Sequence, residues 1–265
     1  MSAPANRDIH LMPRLLPPRN QITHGDCLVV LAGMTAGSVD LTYLDPPFNT
    51  GQTQRARNAE YADLWPNMSA YLAFMRPRLR EIVRVLKPDG SILLHCDWRT
   101  CHHFRLMLDE LLGPENFVNH LIWQYGLGGS SPRRFARKHD DILFYAMGVD
   151  YYFQPPMVPA TSNRMKGLSK KATDVIAIAS INNMAEERVG FPTQKPLELL
   201  EMLIAACCPP SGIVLDPFCG SGTTLVAARH CGRAYVGIDC NPDAVVIAEK
   251  RCQAAAPDAC ETAVH

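Results

Sequence analysis

Short apolar runs that stop on an acid or a turn, with helical stretches between them, constrain this chain more than any other feature. Strand-like runs fall at Cys27–Leu31, Val39–Leu44, Ser91–His95, Val118–Trp123, Ile142–Tyr145, Ile213–Leu215 and Ala234–Ile238. Each is short and bounded by turn residues. Between them, "YLAFMRPRLREIVRVL" (71–86) repeats apolar residues at 72, 75, 79, 82, 83 and 86 and ends at the "KPDG" turn. Pro77 inside it predicts a kink or a helix start nearby. Further helices are expected over His102–Leu112, Leu197–Cys207, Thr223–Cys231 and Pro242–Cys252, the last with Asn241 as N-cap and Pro242 in first position. Strands alternating with helices of this size predict an α/β fold, its sheet mostly parallel and covered on both faces.

The rhythm breaks from about Gly126 to Arg188, where "GLGGSSPRRFARKH" is rich in Gly, Ser and Arg. Long irregular segments in a compact domain are usually functional or disordered. The N-terminal "MSAPANRDIHLMPRLLPPRN" has no apolar stretch suited to export and reads as a Pro-rich lead-in. No apolar run approaches the roughly 18 residues of a membrane span. Ten cysteines form no CxxC pair, which predicts reduced, mostly buried thiols in a cytoplasmic protein and no metal site. His102 and His103 beside Cys101 read as surface residues. The net charge is zero, which argues weakly against nucleic acid, but "RRFARKH" (133–139) and "RMKGLSKK" (164–171) are locally basic.

Three strand ends carry acids. "LTYLDPPFNT" (41–50) runs from an apolar strand into Asp45, Pro46, Pro47 and Phe48. Ligands bind at carboxyl ends of strands in open α/β sheets, and two prolines make the turn stiff. An ordinary strand-ending proline turn would look the same from these residues alone. "IVLDPFCGSGTT" (213–224) ends a strand on Asp216 and passes through Gly220-Ser221-Gly222 into a helix. Glycines there let backbone approach a ligand, yet the stretch is neither a P-loop nor a full GxGxxG. "RAYVGIDCNP" (233–242) ends on Asp239, nineteen residues after Gly220, a spacing that suits an acid on ribose hydroxyls. Asp216 suits a cation and would repel pyrophosphate. A nucleoside with a cationic amino-acid tail is S-adenosylmethionine.

Taken together, these motifs resemble the amino-group DNA methyltransferases in which the catalytic motif precedes the cofactor motif. The matching pieces are "DPPF" (45–48), "GFPTQKPLELLEMLI" (190–204), "DPFCGSGTT" (216–224) and "YVGIDCNP" (235–242), supported by "GDCLVVL" (25–31), "KPDGSILLHCD" (87–97), "NHLIWQY" (119–125) and "RKHDDILFY" (137–145). The resemblance implies a Rossmann-like S-adenosylmethionine-dependent methyltransferase fold with a seven-stranded, mostly parallel sheet and circularly permuted motif order. It implies a catalytic domain over 22–252, with a lead-in over 1–21, a small target-recognition insertion about 126–188 and a tail over 253–265. RNA enzymes of this kind generally place the Gly-rich motif first, and the absence of a Pro-Cys dipeptide excludes cytosine-C5 chemistry.

An exocyclic amine is a poor nucleophile because its lone pair is delocalised into the ring. Acceptors aimed at its hydrogens favour a pyramidal nitrogen; in this reading they are the Asp45 carboxylate and the Pro46 carbonyl, fixed by Pro47. Phe48 stacks on a base flipped out of the duplex. By resemblance, Asp216, Phe218, Cys219, Gly220, Ser221, Gly222 and Thr223 line the methionine end of the cofactor with Asp45. Asp239 and Cys240 hold the ribose, Asp26 and Cys27 lie on the adenine side, and Thr193, Gln194 and Lys195 start a closing helix. Trp123, Tyr125, His139 and Asp140 are base-pocket candidates. Arg55, Arg57, Arg133, Arg134, Arg137, Lys138 and His139 are candidates for DNA contact. The expected activity is adenine-N6 methylation of duplex DNA. Cytosine-N4 is the alternative, and an RNA enzyme or a silent DNA-binding module the remoter rivals. The expected partners are DNA, a second copy of the chain and a cognate restriction endonuclease.

Overall fold

The computed structural model describes residues 19–56, 59–126, 130–160, 166–181, 187–189, 191 and 194–255, with backbone alone for 54–56 and 59–62. The elements run β1 (Gln21–His24), α1 (Cys27–Gly33), β2 (Val39–Leu44), β3 (Gln52–Ala56), β4 (Ala59–Asp63), α2 (Met68–Val85), β5 (Leu86–Cys96), α3 (Cys101–Leu112), β6 (Phe117–Gln124) and β7 (His139–Ala146). They continue with β8 (Met157–Pro159), β9 (Ser169–Lys171), β10 (Val175–Ala177), α4 (Leu197–Cys207), β11 (Ile213–Asp216), α5 (Thr223–His230), β12 (Ala234–Asp239) and α6 (Pro242–Ala254). One sheet has the order β1-β12-β11-β2-β5-β7-β6-β10, while β3-β4 and β8-β9 form separate hairpins. Within the large sheet only β7 runs antiparallel to its neighbours, β5 and β6.

Every residue of β2 is buried, as an internal strand covered on both faces requires. Leu41 and Tyr43 pack with Leu199 and Leu203 of α4 and Val226 of α5. Val39 and Leu44 face the other layer, with Leu31 of α1, Leu79 of α2 and Phe104 of α3. At the opposite end of the sheet Asp40 is a buried stitch. Its carboxylate accepts from the Ile213 backbone N–H at 2.8 Å and from Lys87 Nζ at 2.6 Å, tying β2 to β11 and β5.

The alternation of strands and helices is as expected, with four local differences. Cys27–Leu31 is not a strand: it lies in α1. The Asp26 side chain accepts from the Leu28 N–H at 2.8 Å, and Cys27 and Leu31, one turn apart, supply the buried face. The strand of that region is the short, polar β1 just upstream, at the sheet edge. The α2 helix begins at Met68, capped by Asn67, and passes through Pro77 without ending. "KPDG" is an excursion within β5, because Val39 pairs with Leu86 and Leu41 with Ser91. The sheet has eight strands, the extra one being the three-residue β10, which pairs with β6. Within 126–188, β7 is internal to the sheet and β10 is its edge, so this segment is threaded through the sheet.

From β2 the chain moves to β5 on one side; from β11 it moves to β12 on the other. Connections that leave neighbouring strands in opposite directions open a crevice at their carboxyl ends. Gly222 starts α5 there with φ 78°, and an added Cβ would lie 2.7 Å from Ala248 Cβ of α6. Gly222→Ala is therefore expected to cost about 1–3 kcal/mol, from the left-handed backbone and the forced separation of α5 from α6. Urea titration of the two proteins measures this.

Candidate active site

A cavity of about 270 Å³ occupies the crevice between β2 and β11. Tyr43, Asp45 and Pro47 line it from the β2 end, Asp216 and Phe218–Ser221 from the β11 end, and Asp239, Cys240 and Asn241 from the β12 end. Phe191, Gln194, Lys195, Thr223 and Thr224 complete much of the wall. Leu215 pairs with Thr42, so Asp216 stands level with Tyr43 and Asp45 lies just beyond.

The Gly-rich turn is held on all sides. Gly222 N–H donates to the Cys219 carbonyl at 2.7 Å, and Gly220 N–H donates to Asp239 Oδ2 at 2.7 Å. Gly220 has φ 49°, and an added Cβ would meet the Phe191 ring at 3.0 Å. From α6, Arg251 Nη1 donates to the Ser221 carbonyl at 2.9 Å, Ser221 Oγ at 3.1 Å and Thr223 Oγ1 at 2.9 Å.

Charge in the cavity is unbalanced toward acid. Burial pushes Asp216 from the usual carboxylate range up to about 7, against hydrogen bonds from Thr224 and the Phe218 N–H and with Asp45 and Asp239 adding to it. Burial also raises Asp239, although the Asn241 and Gly220 N–H groups favour its charged form. The Cys219 thiol is driven well above its ordinary value by burial and by these two acids. Opposite them Lys195 Nζ meets Asp45 Oδ2 at 2.5 Å and lies 5.2 Å from the centre of the Phe48 ring. A buried carboxyl of raised pKa facing a cavity is the electrostatic counterpart of an incoming cation.

The Asp-Pro-Pro-Phe turn is pinned from both sides. The Tyr71 hydroxyl donates to the Pro47 carbonyl at 2.7 Å. Asp63, at the end of β4, accepts from the backbone N–H groups of Asn49 at 2.7 Å and Thr50 at 3.0 Å. Phe48 rests tilted on the His95 ring, centroids 5.7 Å apart, and Trp123 meets that ring edge-on at 5.6 Å. His95 is fully buried, with Nδ1 at 2.7 Å from the Tyr43 hydroxyl and Nε2 at 3.3 Å from Asp140 Oδ2. Burial alone would raise the Asp140 carboxyl, but His95, Lys195 and the Tyr125 hydroxyl outweigh it and hold it below the usual range. An ionised Asp140 only accepts, so Nε2 carries a proton; a neutral ring then takes the Tyr43 O–H at Nδ1.

Residues 39–250 match the family model described as DNA methylase, of the N6 and N4 methyltransferases. The chain belongs to this family. It is 30% identical to the Type II methyltransferase M.HpaI of Haemophilus parainfluenzae, over 85% of this chain and 72% of that one. The fold is shared with M1.HpyAVI, solved as a complex with SAM: TM-score 0.62, 21% identity, 87% of this chain and 98% of that one. It is also shared with the cytosine-N4-specific PvuII DNA methyltransferase: TM-score 0.64, 19% identity, 89% of this chain and 86% of that one.

In this DNA amino-methyltransferase, most residues singled out in sequence converge on the crevice, and some do not. Asp26 and Cys27 lie outside the cavity lining. Asp26 caps α1 and receives two bonds from Arg78 Nη2 (2.9 and 2.7 Å), while Cys27 faces the core. Gln194 bridges backward, accepting from Val189 N–H and donating to the Glu187 carbonyl. Arg133, Arg134, Arg137 and His139 are exposed, and Arg137 stacks 3.5 Å over the Trp98 ring. Lys138 is half-buried and donates to the Gly126 carbonyl at 3.3 Å. Thr193 and Arg57 lie outside the described residues, as does the side chain of Arg55. Among the described residues, Cys101, His120 and Asp141 offer three ligand atoms within 4.8 Å of one another, on the α3 side of the sheet and away from the cavity. Tyr43 and His95 fall inside the quoted stretches, but their contacts, like those of Asp63, Tyr71 and Arg251, are with partners far along the chain, so no spacing rule finds their roles. No helix among the described residues is long and apolar enough to cross a membrane.

Asp216 binds its proton more tightly when folded than when unfolded, so its contribution to stability is greatest below the ordinary carboxylate pKa. That contribution is lost as pH rises through about 7. Without ligand, Asp216→Asn is expected to equal the unchanged protein below about pH 4 and exceed it at pH 8, by up to roughly 4 kcal/mol. Thermal melts across that range test this; a stability difference independent of pH would overturn it.

Proposed function

We propose that this DNA amino-methyltransferase methylates the N6 amine of adenine in duplex DNA, drawing the methyl group from S-adenosylmethionine and acting on a base taken out of the stack. The observation that carries the reading is the meeting of Asp45, on its rigid turn, with the buried acid Asp216 in one cavity. S-adenosylmethionine supplies an electrophilic methyl on a sulfonium and carries a second cation on its amino-acid tail. The residues fit such a molecule. Asp216 suits a cation, Asp239 accepts from the Gly220 N–H and suits ribose hydroxyls, and Gly220 and Ser221 give the cavity a wall of backbone.

Asp45 and the Pro46 carbonyl accept the hydrogens of the target amine and localise its lone pair. Tyr71, Asp63 and Lys195 hold that turn in place, so little reorganisation remains when the base arrives. Phe48, backed by His95, stacks on the flipped base. The amine nitrogen bonds the methyl carbon as the carbon–sulfur bond breaks and a neutral thioether leaves, the surplus proton passes to water, and no covalent bond to the enzyme forms. Arg55, Arg57, Arg133, Arg134, Arg137 and Lys138 meet phosphates and base edges. Recognition by so small an insertion suits a homodimer on a palindrome, with a cognate endonuclease cutting the same sequence. Adenine is preferred because Asp-Pro-Pro-Phe resembles the adenine enzymes, whereas Ser-Pro-Pro-Tyr is commoner among cytosine-N4 enzymes. Cytosine-N4 is the second reading, since an acceptor pair serves either amine.

Labelled methyl transfer to unmethylated genomic DNA, followed by nucleoside mass spectrometry, is expected to yield N6-methyladenine; N4-methylcytosine would replace the base assignment and keep the mechanism. Asp45→Ala is expected to lower transfer by about 10²- to 10³-fold while leaving cofactor affinity within about tenfold. Unchanged transfer would sink the clamp. Cofactor affinity is expected to rise with pH through about 7, with a proton released on binding as Asp216 ionises. Calorimetry in two buffers of different ionisation enthalpy counts that proton.

A further inference from the structure

Between β6 and β7 the loop carries a fully presented aromatic ring. Phe135 is 98% exposed, which no packing requirement of the fold explains. It sits among Arg133, Arg134, Arg137 and Lys138, and no acid lies between Gly126 and His139. The loop is rooted beside the crevice. Tyr125 N–H donates to the Lys138 carbonyl at 2.8 Å, closing the loop at its base. The Tyr125 hydroxyl donates to Asp140 Oδ1 at 3.0 Å, and Asp140 leads through His95 to Phe48. Arg137 is stacked on Trp98, which follows the carboxyl end of β5, so the loop stands over the same edge of the sheet as Asp45.

We infer that Phe135 is a wedge that enters the duplex where the target base has left it. The inference rests on the base-flipping reading of the Asp45 turn. A flipped base leaves its two neighbours without a stacking partner, and an aromatic or apolar side chain inserted there replaces part of the lost stacking. A lone exposed ring would be unremarkable on a protein surface. One flanked by four cations is different: the cations bind phosphates, bring the ring to the groove, and leave the ring itself to face the base pairs. Phe48 and Phe135 then divide the work, one ring receiving the base outside the helix and the other holding the space inside.

The test compares the unchanged protein with Phe135→Ala, Phe135→Trp and Asp45→Ala, using unmethylated genomic DNA and labelled S-adenosylmethionine. Phe135 is exposed, so its removal is expected to leave the melting temperature and cofactor affinity unchanged. Duplex affinity, set by the retained cations, is expected to stay within about threefold. The turnover of Phe135→Ala is expected to fall about 10- to 100-fold, the cost of holding open an unfilled step. Phe135→Trp is expected to stay within about threefold of the unchanged protein, and its emission to be quenched when duplex is added. Full turnover by Phe135→Ala, beside an active unchanged protein and a dead Asp45→Ala, would overturn the wedge alone. No transfer to DNA by the unchanged protein would overturn the reading beneath it and the wedge together.

Discussion

Backbone hydrogen bonds between β2 and β11 hold together two strand ends that are far apart in sequence, and the chemistry is arranged around that pairing. One end delivers Asp45 on a turn made stiff by two prolines; the other delivers Asp216 and a glycine turn. Because the sheet's connections diverge at this pair, neither connection crosses the gap between them, and a crevice is left. The stitch at the opposite end, Asp40 to the Ile213 N–H, fixes the same two strands in register. The positions of the two acids therefore depend on main-chain geometry, with little left to side-chain choice.

The site is held at some expense to stability, because burial disfavours the charged form of Asp216. Asp216 is buried beside two other acids, Asp45 and Asp239, and Asp45 leans on Lys195 at the mouth of helix α4. Supporting contacts come from every direction: Arg251 reaches in from the last helix, Tyr71 from the second, Asp63 from the hairpin after the turn. These side chains touch no reacting atom, yet each removes a freedom that the reacting groups would otherwise have.

The sequence was most legible where a single residue type carries a backbone consequence. Apolar runs ending on Asp45, Asp216 and Asp239 marked three internal strands and the edge where they meet, and Asn241-Pro242 marked a helix start that the structure keeps, with two capping bonds. It was least legible where polarity and tertiary packing disagree. The strand at Gln21–His24 is short and half-exposed, so it has no apolar signature, whereas Cys27–Leu31 looks like a strand until Asp26 is seen capping it. The loop "KPDG" reads as a stop because a bulge and a turn share their residues. His95 could not have been picked out: an isolated histidine within an apolar run gains meaning only from Tyr43, Phe48, Trp123 and Asp140 around it.

On the proposed function, the acidic interior and the basic loop would also sort what approaches. The cavity presents Asp45, Asp216 and Asp239 against Lys195, while the loop between β6 and β7 presents arginines to solvent. A phosphodiester would be welcome at that loop and refused in the pocket; a sulfonium would be treated the opposite way. A neutral heterocycle is the one part of a nucleic acid that passes both filters. On the proposed function the strand would be gripped by its backbone without that backbone competing for the donor's place, and the two ligands would keep to separate compartments because of their charges.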